Sequence, residues 1–280
     1  SGYGQEGPHR DRPAFGVIGE AVGGLRHLSD HPPGMSDLPP VRVGISIGDS
    51  LAGLYAALGV VAELWQRDNS RFKRPAGVVD VALTDSILSL MEGMLPEYSA
   101  LGRIRQPTGS RIPTAAPSSA YPAADGKWVI IAANSEALFQ SLMTVVGQPN
   151  LAKEPKYSSN PERVKNVDEL DEIISDWTRS LPSEKVMQEL TSAGVPATLI
   201  YDAADCATDP QFRFRGMVQE VHDPNFGTIL HPGTVPKHDT GHLGVRWTGP
   251  AIGEHTDQVL AEFLELSPEQ IASLRKEKVV

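Results

Sequence analysis

The hydrophobic pattern is strongest in one long segment in the first quarter of the chain. Residues 51–65 contain no proline and one charge, and large apolar residues recur there near the helical period. Alanine and glycine fill most other positions, so the pattern predicts a helix that is buried on nearly all sides. A short apolar run at 41–47 predicts a strand that leads into it. Asp49 stands at the start of this helix.

Two further helices and a strand are predicted around this segment. Residues 15–28 have apolar positions at helical spacing, and the glycines within this helix indicate tight packing. Residues 78–83 have the composition of a strand. A second buried helix is predicted over 84–101. Residues 103–117 form a basic, proline-containing connection, where we place a domain boundary.

The next segment has the pattern of a smaller α+β unit. Two apolar runs, 119–122 and 127–132, flank Asp125-Gly126 and predict a hairpin. Helices are predicted over 136–146, 161–180 and 183–193, followed by a strand at 197–201. The last two helices carry many charges at i, i+4 spacing, which is typical of exposed faces.

The final segment mixes a predicted strand at 217–221 with glycine- and proline-rich loops and two helices. The first of these helices ends near residue 264. The last opens with Ser267, Pro268 and Gln270, which form a predicted capping box with proline in the first turn.

Composition narrows the class of protein. The 280 residues are 40% hydrophobic, enough for one large or two modest domains. The formal charge of −10, with no basic run longer than residues 71–74, argues against a nucleic-acid partner. No segment is expected to span a membrane, and no signal peptide is expected. The single cysteine, Cys206, allows no internal disulfide and favours a reducing compartment. We therefore expect a cytoplasmic protein, or a mitochondrial one in a eukaryote.

The amino terminus does not resemble the beginning of a protein. Residues 1–5 have the pattern of a strand that enters a loop, and there is no initiator methionine. We expect a fragment, a processed product or one half of a split protein.

Asp49 has two interpretations. It is placed to act as an N-cap, accepting hydrogen bonds from the first backbone N–H groups of the helix. The same place suits a reactive carboxylate, because a helix N-terminus favours the charged form. Gly48 has no side chain and lets a ligand approach closely.

Two other kinds of site are weighed. Residues 44–48 match the G-x-S-x-G elbow of α/β-hydrolases, with Ser46 as nucleophile and His222 or His255 as base. Few residues precede this elbow, and no His-Gly-Gly run supplies an oxyanion hole. A metal site at His238 and His242, near His231, lacks a cysteine or glutamate to complete it, so no metal is expected.

Taken together, the motifs resemble class III CoA-transferases, the family that includes formyl-CoA, carnitine and bile-acid CoA-transferases. The similarity extends over essentially the whole chain. Its markers are the segments 1–5, 12–15, 44–49, 79–83, 193–197 and 253–256.

The resemblance implies that Asp49 is the nucleophile. In this family, an aspartate at this place attacks an acyl-CoA thioester to form a mixed anhydride, and then an aspartyl-CoA thioester that an acceptor acid resolves. Phe15 matches an aromatic position that often lines the active site, although it is equally suited to the core of the first helix. Gly16 and Glu20 differ from the residues most common in the family.

The resemblance also bears on the substrate. The glycine run of the formyl-CoA branch is replaced here by residues 108–113, which argues against a formyl/oxalate pair. Arg111 in this segment favours a dicarboxylic acid as acceptor or donor, or is a solvated loop charge. CoA thioesters are the substrates, with no permanently bound cofactor.

The fold implied is α/β: part of a Rossmann-like large domain plus a smaller α+β domain, in an interlocked homodimer. The expected division is 1–105 for the large domain, 106–117 for a linker, 118–205 for the small domain and 206–280 for a segment that returns to the large domain. Family chains carry a further N-terminal part with most CoA-binding groups, so a partner that supplies this part is the other option. No membrane partner is expected.

Two alternatives remain within the family. A 2-methylacyl-CoA racemase also keeps an aspartate at this place, but it needs a second base, a histidine, where this chain has residues 13–16 without one. The other alternative is a non-catalytic half of a split transferase.

Overall fold

The computed structural model describes residues 1–69, 75, 77–239 and 244–280. The basic run 71–74 and His242 lie outside the described residues. The chain forms two compact units, Ser1–Leu199 and Ile200–Val280. Within the first unit, we call residues 1–101 the helical region and residues 118–199 the sheet region.

The helical region contains five described helices. The two long helices predicted over 15–28 and 84–101 are each broken in two. Gly24 (φ 96°) takes a left-handed conformation in the first, and Glu92 (φ 48°) does so in the second. A left-handed residue ends an α-helix, so each pattern yields two short helices. The helices are α1 (Gly16–Val22), α2 (Leu25–Leu28), α3 (Ile47–Asn69), α4 (Leu83–Leu88) and α5 (Met94–Leu101).

The expected tight packing at the glycines of the first helix is confirmed. A methyl group on Gly19 would lie 3.0 Å from Leu83 Cβ, and one on Gly23 would lie 2.5 Å from Ile87 Cγ2. The absence of side chains at these two positions lets α1 approach α4 closely.

The helix predicted over 51–65 is present in α3, but the prediction that it is buried is wrong. Gly48 is its one buried residue. Leu54 and Leu58 are each 66% exposed, and Trp65 is 69% exposed. Helices α1 and α4 pack against α3, but they leave these apolar side chains exposed. α3 is also long and apolar enough to cross a membrane, contrary to expectation. Core helices of soluble proteins have the same length and composition.

The strands predicted at 41–47 and 78–83 are not formed; both segments are extended without a sheet, apart from the start of α3 at Ile47 and of α4 at Leu83. The second segment pairs briefly with the amino terminus: the Ser1 amino group donates to Val81 O (2.9 Å), and Leu83 N donates to Ser1 O (3.0 Å). A strand requires a neighbour over several residues, which the described residues do not provide here.

The sheet region has the predicted hairpin and third strand. β1 (Ser118–Pro122), β2 (Trp128–Ala132) and β3 (Ala197–Leu199) form an antiparallel sheet in the order β1-β2-β3. Gly126 (φ 79°) takes the left-handed conformation in the turn.

The helices of the sheet region also follow the sequence pattern, with one difference. The helix predicted over 161–180 divides at Asn166, whose side-chain amide donates to Lys156 O (3.1 Å) and Glu162 O (2.9 Å). The helices are α6 (Glu136–Val145), α7 (Asn160–Lys165), α8 (Val167–Arg179) and α9 (Ser183–Ser192). Together with the sheet they enclose a continuous apolar core that includes Tyr121, Ile131, Phe139, Leu142, Leu170, Ile174 and Leu190.

The second unit begins with two short helices, α10 (Ala203–Thr208) and α11 (Pro210–Phe214). The antiparallel hairpin of β4 (Val218–Asp223) and β5 (Gly227–Pro232) follows, then α12 (Thr256–Leu264) and α13 (Pro268–Lys276). The strand predicted at 217–221 and the capping box of Ser267 and Gln270 are confirmed, whereas β5 was not expected.

The fold class combines helices and sheets. All strand pairs among the described residues are antiparallel, so they contain no Rossmann-like parallel sheet. The expected four-part division of the chain stays a prediction.

Candidate active site

Segments that are distant in the sequence meet beside the start of α3. Gln5 N donates to Asp80 Oδ2 (2.7 Å), and a methyl group on Gly2 would lie 2.5 Å from Ala14 Cβ. These contacts join segments 1–5, 12–15 and 79–83. Gly16, the next residue along, contacts Asp49. Three of the marker motifs therefore contact one another, and Gly16, which follows one of them, contacts the predicted nucleophile in the fourth.

Asp49 lies in the first turn of α3 rather than at its N-cap. The helix begins at Ile47, and Ser50 N donates to Ser46 O (3.1 Å), so the N-cap interpretation of Asp49 is wrong. Its side chain is exposed, and no described residue forms an ion pair or hydrogen bond with its carboxylate. The first backbone N–H groups of a helix have no intrahelical acceptor and favour negative charge nearby.

Two glycines bring α1 and α3 together at this point. A methyl group on Gly16 would overlap Asp49 Oδ2, and one on Gly48 would lie 3.4 Å from Gly16 O. Any side chain at Gly16 would displace the Asp49 carboxylate. Gly48 is buried by this contact. It was predicted to line the pocket, and in the structure its lack of a side chain lets α1 and α3 approach each other.

Phe15 immediately precedes α1 and is 81% exposed. It is therefore not a core residue of the first helix. Its neighbour Gly16 contacts Asp49, which puts Phe15 at the edge of the exposed carboxylate. Its role in the pocket stays a prediction.

The serine nucleophile lacks the structure that its motif requires. Ser46 precedes α3, but residues 41–45 form no strand before it, and an elbow needs a strand that turns into a helix. His222 lies in β4, and His255 is the N-cap of α12. Across the described residues, no group of histidine, cysteine and acidic side chains is arranged to hold a metal ion.

Arg111 is engaged by two carboxylates of α8. Its Nε lies 2.6 Å from Asp171 Oδ2, and its Nη1 lies 2.6 Å from Asp168 Oδ1. The buried Tyr121 hydroxyl donates to Asp171 Oδ1 (2.6 Å). Burial and the Asp171 charge raise the pKa of Tyr121, so it remains a donor. This arrangement fixes segment 108–113 to the sheet region.

A second cluster of charges, which was not predicted, lies on α1 and its neighbours. The Glu20 side chain is 1% exposed, and its Oε1 lies 3.2 Å from Arg42 Nη2. Its Oε2 lies 3.9 Å from Arg26 Nη2. Glu20 is four residues after Gly16, so both lie on one face of α1. One feature of the sequence could have indicated this cluster, because Arg42 is the one charged residue between Asp37 and Asp49.

The chain matches the model of CoA-transferase family III over residues 1–256. It is 41% identical over its whole length to succinyl-CoA–D-citramalate CoA-transferase of Chloroflexus aurantiacus, and covers 68% of that protein. It is 33% identical to the beta subunit of succinyl-CoA–L-malate CoA-transferase of the same organism, again over 100% of this chain and 68% of the relative.

A solved structure supports the same assignment. The crystal structure of a CAIB/BAIF family protein from Brucella suis aligns with a TM-score of 0.78 at 27% identity, covering 94% of this chain and 66% of that one. The motifs around Asp49, the family model and the relatives agree: this chain belongs to the family III CoA-transferases.

Proposed function

We propose that this protein transfers CoA from an acyl-CoA thioester to a free carboxylic acid, with Asp49 as the nucleophile and dicarboxylic acids as substrates. The observation that carries the proposal is the Asp49 carboxylate itself. It is exposed in the first turn of a long helix, pressed against Gly16, and free of partners among the described residues.

The reaction has four steps. Asp49 attacks the thioester carbonyl, the C–S bond breaks, and CoA leaves as a thiolate while a mixed anhydride forms. The thiolate then attacks the Asp49 carbonyl carbon, releasing the first acid and leaving an aspartyl-CoA thioester. The acceptor carboxylate attacks this thioester, the C–S bond breaks, and CoA leaves again as a thiolate while a second anhydride forms. The thiolate finally attacks the acyl carbonyl, so that the new acyl-CoA leaves and Asp49 is restored.

The first turn of α3 suits the charge that develops in these steps. Each attack places negative charge on a carbonyl oxygen next to Asp49, and preorganised backbone N–H groups stabilise such charge. Gly48 keeps the backbone of that turn free of a side chain. No step requires a permanently bound cofactor.

The dicarboxylate preference is supported by the relatives. The two most similar ones described above are named for succinyl-CoA with citramalate or malate. Each name contains acids with a second carboxylate, so a cation is needed near Asp49 in addition to the nucleophile.

The alternatives have less support. A racemase needs a second proton-transfer group, but Gly16, the α1 residue that contacts Asp49, has no side chain, and residues 13–16 include no histidine. A hydrolase would use Ser46, which lacks its strand. A non-catalytic half of a split transferase, whose role is to complete a partner subunit, would support transfer in a complex without needing its own Asp49.

We also propose an assembled state, either the interlocked homodimer with a Rossmann-like large domain or a complex with a partner that supplies CoA-binding groups, in the cytoplasm. The exposed apolar side chains of α3 support an assembly, since large apolar patches are uncommon on monomers. Native mass spectrometry tests this directly: a monomer at all concentrations would contradict it.

The function is tested by a transfer assay with succinyl-CoA and a panel of carboxylic acids, using Asp49→Asn and Ser46→Ala. We expect transfer by the wild type, a loss of at least about 10³-fold in Asp49→Asn, and activity near wild type in Ser46→Ala. Ester hydrolysis that depends on Ser46 would overturn the proposal in favour of a hydrolase.

A further inference from the structure

A dicarboxylate substrate requires a cation that is available to it, and the two candidate arginines differ in this respect. Arg111 already contacts two carboxylates at 2.6 Å each. Its side chain is 29% exposed. These contacts use Nε and Nη1 and neutralise the guanidinium twice over, so only Nη2 and one proton of Nη1 remain for a substrate carboxylate. Arg111 is therefore poorly placed to recognise a second carboxylate.

Arg42 is differently arranged. Its side chain is 46% exposed, and Glu20 is its one ion-pair partner among the described residues. That contact uses Nη2 alone, and a guanidinium has five N–H donors. Its exposed donors are therefore available to bind an incoming carboxylate in the paired geometry that arginine favours.

The cluster lies close to the nucleophile. Gly16 contacts Asp49, and Glu20 follows it by four residues of α1, about 6 Å of rise along the helix. Glu20 in turn holds Arg42 at 3.2 Å. The nucleophile and the Glu20–Arg42 pair therefore lie along one face of α1.

The balance of charge also favours an anion during the reaction. Arg42 and Arg26 carry two positive charges, and Glu20 and Asp49 carry two negative ones. When Asp49 becomes an anhydride or a thioester it loses its charge, so the group is left with one positive charge in excess. Arg26 adds to this field, since its Nη2 lies 3.9 Å from Glu20 and its Nε is buried with no partner in the described part of the chain.

Resting on the proposed function, we propose that Arg42, oriented by the buried Glu20 and supported by Arg26, binds the second carboxylate of the acyl group and of the acceptor acid. Arg42 is then the specificity-determining residue of the site, and Glu20 is a positioning residue. The preference for dicarboxylic over monocarboxylic substrates comes from the helical region beside Asp49, whereas Arg111 organises the sheet region.

The test measures kcat/KM of the full enzyme for succinyl-CoA and for butyryl-CoA, with enzyme in excess so that slow substrates are quantified. In Arg42→Met, the ratio of the two should fall by about 30- to 1,000-fold, through the succinyl-CoA value alone. Arg42→Lys keeps the charge but cannot donate two parallel hydrogen bonds to a carboxylate. Its ratio of succinyl-CoA to butyryl-CoA kcat/KM should lie between those of Arg42→Met and the wild type. Glu20→Gln should raise KM for dicarboxylates more than it changes kcat.

Two matched arginine variants complete the test. Arg179→Met removes an exposed arginine of α8 that pairs with Asp176, and should leave the ratio unchanged. Arg111→Met tests the rival residue: if it lowers the ratio while Arg42→Met and Arg42→Lys do not, the proposal is overturned.

Failure of the inference differs from failure of the function. If Arg42→Met and Arg42→Lys, both folded by circular dichroism, lower transfer from the two donors equally, Arg42 has no role in specificity while the transferase function stands. If the wild type transfers CoA from neither donor to any acid, the proposed function fails, and the inference fails with it.

Discussion

The helical region and the sheet region differ in how they bury their apolar side chains. The continuous apolar core lies in the sheet region, where Ile131, Leu142 and Ile174 are fully buried. In the helical region, Leu54, Leu58 and Trp65 of α3 are mostly exposed. The region with a complete core carries no predicted nucleophile, and the region with the nucleophile leaves its longest helix uncovered. The sheet region therefore buries its own apolar side chains, whereas those of α3 stay exposed, and this difference is the reason we propose an assembled state.

The largest expected effect on stability comes from Arg163, a buried charged residue of the sheet region. The Arg163 side chain is 0% exposed, and donates to Ala116 O (2.9 Å), Tyr157 O (3.1 Å) and Asn134 O (2.5 Å). Replacing it by methionine leaves three carbonyls without a donor, so Arg163→Met should lower the free energy of unfolding by about 3–5 kcal/mol. Chemical denaturation measures this.

Arg163→Lys is the control for this prediction. It keeps the charge, but a single ammonium cannot reach three carbonyls as a guanidinium does, so most of the loss should remain. Wild-type stability in Arg163→Met would show that the sheet region does not depend on this arginine.

A pair of leucine variants compares the two regions directly. Leu142→Ala creates a cavity in a complete core and should cost about 2–5 kcal/mol. Leu58→Ala changes a side chain that is 66% exposed and should cost about 0.5 kcal/mol or less. Denaturation at low protein concentration, where an assembly dissociates, provides the measurement. Equal costs under those conditions would contradict the comparison.

The hydrogen bond from Tyr121 to Asp171 gives a smaller effect. Tyr121→Phe removes the donor to Asp171 Oδ1 and leaves that half of a largely buried carboxylate unsatisfied. We expect a loss of about 1–2 kcal/mol in the free energy of unfolding. Tyr98→Phe, at a tyrosine of α5 that is 58% exposed, is the matched control and should change stability little.

The smallest effect concerns pH. Asp125 Oδ2 accepts hydrogen bonds from Ser183 Oγ (2.7 Å) and Ser183 N (3.1 Å) at the start of α9. The Ser183 hydroxyl holds the pKa of Asp125 below its usual value. A lowered folded-state pKa stabilises the protein above the unfolded value near 4, and this contribution disappears as pH falls through the folded value.

Unfolding of the wild type and of Asp125→Asn should therefore be compared between pH 7 and pH 3. The stability difference between them should be largest at neutral pH and should shrink in acid. A difference that grows as pH falls would contradict the assignment.

The sequence predicted the sheet region better than the helical region. The turn at Asp125-Gly126 and the helical periods after residue 135 are local signals, and they gave elements close to those observed. In the helical region, the helical periodicity of α3 was predicted correctly, but its burial was not. A hydrophobic pattern indicates that a helix has apolar faces, and it does not show which part of the molecule packs against them. Likewise, residues 41–45 have strand composition but no neighbour to pair with.

The candidate site was predicted in part. Asp49 was identified from its motif, while the Glu20–Arg42 pair joins residues 22 positions apart and depends on how α1 crosses α3. Arg111 was interpreted as a residue that meets a substrate carboxylate or as a solvated loop charge. Its sequence neighbours gave no sign of its partners Asp168 and Asp171, which lie 57 and 60 residues away.

In the proposed reaction, Asp49 becomes covalently attached during CoA transfer. Peptide mass spectrometry after incubation with succinyl-CoA and hydroxylamine measures this, because hydroxylamine converts an activated aspartyl group into a hydroxamate. We expect a hydroxamate on Asp49 that requires succinyl-CoA and is absent from Asp49→Asn. An active enzyme that carries no hydroxamate, or that carries the acyl group on Ser46 instead, would contradict it.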